Sequence, residues 1–227
     1  MRETPLIREP GDLAHWIDHT ILAPDATEEQ VEPLCREAMA HGFRSVCVNP
    51  VHVRFVAGCL RGSTVKTCSV VSFPFGTSPT RIKAAEAANA VEDGAEEVDM
   101  VLAMGLLKGG HLDASREDIA AVKRACGKVL LKVIIETCFL SEQQKVTACR
   151  LAQEAGADFV KTSTGFGSGG ATVQDVALMR RTVGLNMGVK ASGGIRTFES
   201  ARSMIEAGAT RIGASASLAI IGVKRSG

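Results

Sequence analysis

The amino-acid sequence predicts an α/β fold in which a single domain, residues 1–227, forms a closed (β/α)8 barrel. Eight short β-rich segments recur along the chain, and most of them begin 20 to 35 residues apart, which leaves room for a helix and two loops in each interval. Several of these segments are almost continuously apolar, as is typical of strands covered on both faces. About 28 residues per strand and helix also fit the usual size of a TIM barrel.

The strands and the helix boundaries follow from local patterns. The predicted strands cover residues 16–22, 43–48, 65–71, 96–101, 129–135, 158–163, 188–192 and 209–214. Capping boxes predict helices that start after Thr27 and Ser141, and Pro79 is expected at the first position of another helix. Three helices are expected to end in a left-handed glycine directly before a strand, at Gly94, Gly156 and Gly208.

Two other architectures were weighed against the barrel. The length also allows two small domains, but the chain has no linker, low-complexity tract or change in composition. An open, doubly wound sheet has the same alternation of strands and helices, and the count of eight strand–helix units favours the barrel over it.

Composition excludes several classes of function. The net charge is +1 and only 4% of residues are aromatic, which argues against a nucleic-acid or membrane-surface partner. No apolar run reaches the ~20 residues of a membrane span, and the first residues lack the apolar segment of a secretory signal. The seven cysteines form no CxxC pair, so we expect reduced thiols and a cytoplasmic protein.

Charged residues stand near the ends of predicted strands, where a barrel places its active site. Asp99, Lys161 and Lys190 lie near the ends of the fourth, sixth and seventh strands, and Lys132 lies inside the apolar fifth strand. A single lysine of this kind could snorkel to solvent or form a structural ion pair. Lys161 and Lys190 share a Val-Lys-x-Ser context on consecutive strands, which favours a chemical role.

A pair of lysines facing one cavity can generate a nucleophile. The amine attacks only when neutral, and both desolvation and a neighbouring cation disfavour the ammonium form, so each lysine is expected to lower the pKa of the other. The expected product is a Schiff base with a carbonyl substrate, and Asp99 could move protons directly or through water.

Glycine-rich loops after the last three strands predict a phosphate site. Gly165 follows the sixth strand, Gly193, Gly194 and Arg196 follow the seventh, and Gly213 and Ser215 belong to the eighth strand and its loop. Backbone amides in such loops bind anions. The competing interpretation is a set of tight turns that need positive φ.

Two other patterns are weaker. Three of the glycines after the sixth strand match G-x-G-x-x-G, but the acidic residue of a dinucleotide site is missing about 20 residues on. His15 and His19 have the i,i+4 spacing of a metal pair, but no third ligand is evident, so no metal is expected. His19 is instead expected in a hydrogen-bond network beside Asp18 and Thr20.

The chain resembles the deoxyribose-phosphate aldolases of the short bacterial type over nearly its whole length. The resemblance is carried by segments beginning at Ile17, Ser45, Glu97, Leu131, Phe159, Val189 and Arg211. It implies a metal-independent class I aldolase without a cofactor, which splits 2-deoxy-D-ribose 5-phosphate into D-glyceraldehyde 3-phosphate and acetaldehyde.

The resemblance also implies roles for individual residues. Lys161 matches the Schiff-base lysine, Lys190 the lysine that lowers its pKa, and Asp99 the proton donor and acceptor. Asp18 and Lys132 match positions that support the proton network. The six residues of the glycine-rich loops named above match the phosphate side.

The chain departs from the family pattern at two points. Ala103 replaces the usual Asn four residues after the aspartate, and the chain has no tyrosine to assist proton transfer. A sugar-phosphate sensor without turnover, or a Schiff-base aldolase with another donor, remain alternatives. The expected partners are small sugar phosphates and aldehydes, together with copies of the chain in a homo-oligomer, a dimer or a tetramer.

Overall fold

The structure of the chain, a computed structural model, describes residues 7–223. Eight parallel strands close into a barrel in which each strand pairs with its neighbours in sequence and β1 pairs with β8. The strands are β1 Ile17–Thr20, β2 Ser45–Val48, β3 Lys66–Val71, β4 Glu97–Val101, β5 Leu130–Ile134, β6 Phe159–Lys161, β7 Gly188–Ser192 and β8 Arg211–Ala214. All eight predicted strands are confirmed, with ends within two residues of the prediction, and the open doubly wound sheet is excluded.

Helices follow the strands on the outside of the barrel. The α-helices of the described residues are α1 Glu28–His41, α2 Val53–Cys59, α3 Thr80–Glu92, α4 Met104–Lys108, α5 Leu112–Cys126, α6 Glu142–Glu154, α7 Val173–Val183, α8 Phe198–Glu206 and α9 Ser217–Ile220. Short 3₁₀ helices cover Pro10–Trp16, Pro50–His52 and Thr137–Phe139.

Most helix boundaries lie where the capping signals place them. The capping boxes at Thr27 and Ser141 are formed, and Gly94, Gly156 and Gly208 all have positive φ at helix ends. Pro79 is the exception, because it is the N-cap of α3 with ψ of 146°, and the helix begins one residue later. An N-cap residue has an extended, non-helical ψ, so Pro79 precedes the first helical residue and is not itself part of the helix.

The strands separate two different environments. Outward side chains such as Val46, Val98 and Ile212 pack against the helices in one large apolar core. Alternate side chains point into the barrel, where Leu22, Cys47, Cys68 and Val70 form a small apolar cluster beside a larger set of charged groups. The main hydrophobic core therefore lies outside the sheet, and the barrel interior is left for polar chemistry.

No helix within residues 7–223 is both long enough and apolar enough to cross a bilayer. The predicted domain of residues 1–227 extends past both ends of the barrel, and its residues 1–6 and 224–227 lie outside the described residues.

Candidate active site

Seven charged side chains meet inside the barrel, and none is more than 5% exposed. They come from inward positions of β1, β4, β5, β6, β7 and β8. The three carboxylates and four cations are Asp18, Glu97, Asp99, Lys132, Lys161, Lys190 and Arg211. The alternation of a strand puts such residues on one face, so a single network forms from six strands.

Asp99 lies at the centre of this network. Its Oδ2 accepts hydrogen bonds from Nζ of Lys161 and from Nζ of Lys190, both at 2.8 Å, and its Oδ1 accepts one from Nζ of Lys132 at 2.7 Å. Burial alone raises the pKa of Asp99, but the three ammonium groups outweigh burial and hold that pKa well below its usual range. Asp99 is therefore an ionised carboxylate shared by three lysines.

Asp18 extends the network toward β8. One of its oxygens lies 2.5 Å from Nζ of Lys190, and the other accepts a hydrogen bond from the Arg211 guanidinium at 2.6 Å. Burial raises the pKa of Asp18, but Lys190, Arg211 and Lys132 together hold it below its usual value. This carboxylate is the second partner that keeps Lys190 charged.

Glu97 and Arg211 belong to the same network and were not predicted from the sequence. Oε2 of Glu97 lies 2.7 Å from Nζ of Lys132 and 3.0 Å from the Arg211 guanidinium, which also lies over the Phe159 ring at 5.4 Å. The alternation of side chains along a strand could have predicted both residues. Glu97 stands two residues before Asp99 on one strand, so the two side chains face the same way. Arg211 stands two residues before Gly213 in the same manner.

The predicted mutual lowering of the two lysine pKa values is wrong for Lys190. Burial lowers the pKa of Lys190, but Asp18 and Asp99 raise it by more, so the net shift is upward. Lys132 behaves in the same way, since Asp99, Cys68, Glu97 and Asp18 outweigh its burial. The carboxylates of the network raise these pKa values, whereas sequence reasoning considered only desolvation and the neighbouring cation.

Lys161 differs from the other two interior lysines in its access to a cavity. It lines a cavity of about 440 Å³ at the carboxyl ends of the strands, whose lining contains neither Lys132 nor Lys190. The six residues predicted for phosphate binding line the same cavity, and they are Gly165, Gly193, Gly194, Arg196, Gly213 and Ser215. The structure therefore brings the predicted lysine and the glycine-rich loops to one site.

The glycines of this cavity are required for different reasons. Gly165, Gly193 and Gly194 have φ of 88°, 87° and 79°, which side chains rarely adopt. Gly213 has no positive φ, but a Cβ there would lie 2.9 Å from Cε of Lys190. The tight-turn interpretation and the anion-site interpretation are thus compatible, while Gly213 leaves room for a lysine of the charged network.

The two histidines do not form a metal pair. His15 lies in the 3₁₀ helix Pro10–Trp16, whereas the buried His19 points away from the barrel interior toward the helices. Its Nδ1 lies 2.8 Å from Oγ of Ser217 and its Nε2 lies 2.8 Å from Oε2 of Glu37. His19 was expected in a hydrogen-bond network beside Asp18 and Thr20, but its ring contacts Ser217 and Glu37 instead. The reason is that neighbouring residues of a strand face opposite sides of the sheet.

One other group of possible metal ligands lies inside the barrel. Ligand atoms of Cys47, Cys68 and Asp99 lie within 4.8 Å of one another. Nζ of Lys132 already contacts both Sγ of Cys68, at 3.5 Å, and Asp99. Burial raises the pKa of the Cys68 thiol well above its ordinary value, so the thiolate that a metal requires is disfavoured there.

Comparison with known proteins gives a consistent result. A family model described as DeoC/LacD family aldolase matches residues 13–223. The chain is 63% identical over 211 residues to the deoxyribose-phosphate aldolase of Rhodospirillum rubrum, covering 93% of this chain and 89% of the relative. It is 59% identical over 213 residues to the deoxyribose-phosphate aldolase of Brevibacillus brevis, covering 93% and 96%.

A solved structure agrees with the sequence relatives. It is described as the unique tetrameric structure of deoxyribose phosphate aldolase from Aeropyrum pernix. It superposes with a TM-score of 0.88 and 37% identity, covering 94% of this chain and 91% of that chain. The family match spans the barrel from the residues before β1 to the last described residue, and this chain belongs to the DeoC/LacD family of aldolases.

Proposed function

We propose that this protein is a class I aldolase that reversibly cleaves 2-deoxy-D-ribose 5-phosphate to D-glyceraldehyde 3-phosphate and acetaldehyde. The observation that carries the proposal is the placement of Lys161, whose Nζ is held by Asp99 while the side chain lines a cavity rimmed by glycine-rich loops. The names of the relatives described above support the same reaction.

The charge balance of the interior supports Lys161 as the nucleophile. Four cationic groups face three carboxylates, so one of the four can lose its proton and leave the network neutral. Arg211 stays charged in proteins, and carboxylates raise the pKa values of Lys132 and Lys190. Lys161 is the remaining amine, and it is also the one that lines the cavity.

The proposed chemistry begins with attack of the neutral Lys161 amine on C1 of the open-chain sugar. Loss of water from the carbinolamine gives a protonated imine, which accepts the electron pair when the C2–C3 bond breaks. A base removes the C3 hydroxyl proton, and D-glyceraldehyde 3-phosphate leaves. Protonation of the resulting enamine and hydrolysis of the imine release acetaldehyde and restore the lysine.

The proton steps are assigned to the groups around Lys161. Asp99 contacts Lys161 and Lys190 through one oxygen, so the two nitrogens lie no farther apart than twice 2.8 Å. We assign the proton relay to Asp99 and Lys190 together with a water molecule, with Asp18 and Lys132 as supporting charges. The sequence contains no tyrosine, so we assign to this water the part that a tyrosine would play.

The phosphate of the substrate is assigned to the glycine-rich loops that line the cavity. Gly165, Gly193 and Gly194 line the cavity, and Arg196 adds a positive charge beside the start of α8. Amides at a helix N-terminus and a guanidinium both favour a phosphate. Lys161 lines the same cavity, so one sugar phosphate can reach both groups.

Borohydride trapping tests the proposal directly. The protein is incubated in EDTA with 2-deoxy-D-ribose 5-phosphate, reduced, digested and mapped by mass spectrometry. A stable adduct on Lys161, together with release of both products, is the expected result. An adduct at no lysine favours a sugar-phosphate sensor, and an adduct on Lys161 only with another aldehyde donor favours an aldolase of different specificity. A dependence of activity on added Zn²⁺ contradicts a metal-independent mechanism.

We also propose that the chain acts as a cytoplasmic homo-oligomer, a dimer or a tetramer. The relative from Aeropyrum pernix is described as a tetramer, which supports self-association without fixing the number of subunits here. Light scattering coupled to gel filtration measures that number, and a monomeric mass at micromolar concentration contradicts this part of the proposal.

A further inference from the structure

Glu136 is a buried acidic residue that the proposed chemistry does not use. It lies two residues after the end of β5, is 1% exposed and has φ of 51°. A left-handed backbone is unfavourable for a residue with a side chain, and glycine would adopt it freely. A glutamate at this position is best explained by what its carboxyl group contacts.

The carboxyl group of Glu136 is directed at one residue of the next loop. Oε1 and Oε2 accept hydrogen bonds from the backbone N–H of Thr164 at 3.3 and 3.2 Å, and Oε2 also accepts one from the Thr164 hydroxyl. The same hydroxyl accepts a hydrogen bond from the backbone N–H of Phe166 at 3.0 Å. Glu136 therefore holds Thr164, and the Thr164 hydroxyl in turn binds the far end of a turn whose middle residue is Gly165.

Close packing reinforces this arrangement. A Cβ on Gly167 would lie 2.9 Å from Sγ of Cys138 and 3.3 Å from Cδ of Glu136, so the loop after β6 rests directly on the segment after β5. On its other side the same loop contacts the loop after β7, because a Cβ on Gly170 would lie 2.2 Å from the carbonyl oxygen of Gly193. The three loops form one stack, and Glu136 lies at its β5 end.

Lys161 is held by contacts that do not involve Glu136. Its Nζ is hydrogen-bonded to Asp99 inside the barrel, and its carbonyl oxygen accepts a hydrogen bond from the backbone N–H of Ile135. A change at Glu136 should thus disturb the glycine-rich loops more than the lysine. The effects on phosphate binding and on imine formation can be separated.

We propose that Glu136 is a positioning residue that acts through Thr164 to hold the Gly165 turn in the orientation that binds the substrate phosphate. Glu136 does not line the cavity of Lys161, whereas Thr164 and Gly165 do, so its carboxyl group acts from behind the turn. This inference rests on the proposed aldolase function, because it assigns the phosphate to these loops.

The test compares two substrates in three variants. In Glu136→Gln, the amide nitrogen cannot accept a hydrogen bond, so Thr164 loses an acceptor. Thr164→Val removes the hydroxyl with little change of volume and serves where the first variant folds poorly. Glu142→Gln removes a charge from the exposed first turn of α6 and is the matched control. For each, kcat/KM is measured with 2-deoxy-D-ribose 5-phosphate and with 2-deoxy-D-ribose.

The ratio of the two kcat/KM values is the decisive quantity. We expect Glu136→Gln and Thr164→Val to lower it about tenfold or more through a higher KM for the phosphorylated sugar, since small displacements of positioning groups have effects of this size. The control should keep the wild-type ratio. Equal losses on both substrates, or an unchanged ratio, overturn the inference. Failure of the wild-type protein to cleave the phosphorylated sugar instead overturns the proposed function.

Discussion

Asp99 accepts hydrogen bonds from the Nζ atoms of three lysines, so replacing any one of them changes the surroundings of the other two. Removal of one partner from a buried ion pair leaves an uncompensated charge, which is costly in a low-dielectric interior. Substitutions in this network therefore report on ionisation as well as on direct contacts.

Lys161→Arg should abolish cleavage while the fold is retained. Arginine keeps the positive charge beside Asp99, but it stays protonated and cannot form an imine. The measurements are the rate of product release and the borohydride adduct, with circular dichroism as the check on folding. Activity within about tenfold of the wild type contradicts the assignment of Lys161 as the nucleophile.

Lys190→Gln should displace the pH–rate profile to higher pH. Loss of this cation leaves Asp18 and Asp99 with one partner fewer, so the protonated form of Lys161 is favoured and less neutral amine is present near pH 7. Raising the pH should restore much of the rate, and each unit of displacement corresponds to about tenfold in the neutral fraction.

The comparison variant is Lys190→Leu, whose apolar side chain opposes the displacement by desolvating Lys161. The pH–rate profile of Lys190→Leu should therefore be displaced less than that of Lys190→Gln. If the maximum rate falls while the pH–rate profile is not displaced along the pH axis, Lys190 acts in proton transfer or positioning. A profile unchanged in both respects contradicts a role in catalysis.

Gly213→Ala should lower activity because the new methyl group occupies space used by Lys190. Its Cβ would lie 2.9 Å from Cε of Lys190 and 3.0 Å from Cβ of Ser192. Both phosphorylated and unphosphorylated deoxyribose should be affected alike, with a stability cost of about 1–3 kcal/mol by urea unfolding. Gly105→Ala is the control, since nothing beyond its chain neighbours and the backbone of its own helix lies within 4 Å of its Cβ position. A loss confined to the phosphorylated sugar contradicts this explanation.

Sequence reasoning at the residue scale found the groups that stand out by type. Lys161, Lys190 and Asp99 interrupt apolar strands, so their shared site could be predicted from strand order alone. The upward shift of the Lys190 pKa could not, because it depends on carboxylates that the closed barrel brings within 2.8 Å. Distances across a barrel depend on its registers, which one sequence does not specify.

At the scale of elements, local signals predicted the starts and ends of strands and helices. Glycines with positive φ, such as Gly156 and Gly208, follow the ends of helices and lie three residues before the next strand begins. The predicted runs are longer than the observed strands, because residues that flank a strand share its composition without pairing. Glu136 illustrates what local patterns miss, since its contacts lie in the loop after the next strand.

The capping box of α6 should contribute to stability without affecting the reaction. Oγ of Ser141 accepts a hydrogen bond from the backbone N–H of Gln144, whose side chain accepts one from the backbone N–H of Ser141. Ser141→Ala should lower the free energy of unfolding by about 1 kcal/mol and Tm by about 2–4 °C, with unchanged kcat/KM. Thr147→Ala, in the middle of the same helix, should have little effect. Equal losses in both variants contradict a specific role for the cap.

For the whole molecule, the division between apolar core and charged interior links stability to function. The contacts between strands and helices bury most of the apolar side chains, so the barrel can hold seven charged groups that contribute little hydrophobic stabilisation. Each charged side chain inside the barrel must then have a partner of opposite charge, since an unpaired buried charge is strongly unfavourable. The network that holds Lys161 in place is also part of what makes folding depend on pH.

Stability should be nearly constant from about pH 5 to pH 9 and should fall on both sides of this range. The pKa values of Asp18 and Asp99 are lowered in the folded protein, so their contribution is present above the unfolded value of about 4 and is lost as the pH falls through the folded pKa. The pKa values of Lys132 and Lys190 are raised, so their contribution is present below about 10.4 and is lost as the pH rises through the folded pKa.

The urea midpoint measured between pH 2.5 and pH 11.5 tests this dependence. Asp18→Asn should lower the midpoint at neutral pH and should flatten the alkaline decline, because Lys190 loses the carboxylate that most raises its pKa. Added salt should change the declines little, since screening acts mainly on exposed charges. Glu32→Gln, which removes an exposed i,i+4 pair with Arg36, is the control and should leave the curve unchanged. An alkaline decline of the same size in Asp18→Asn and in the wild type would show that the Asp18–Lys190 pair is not its source.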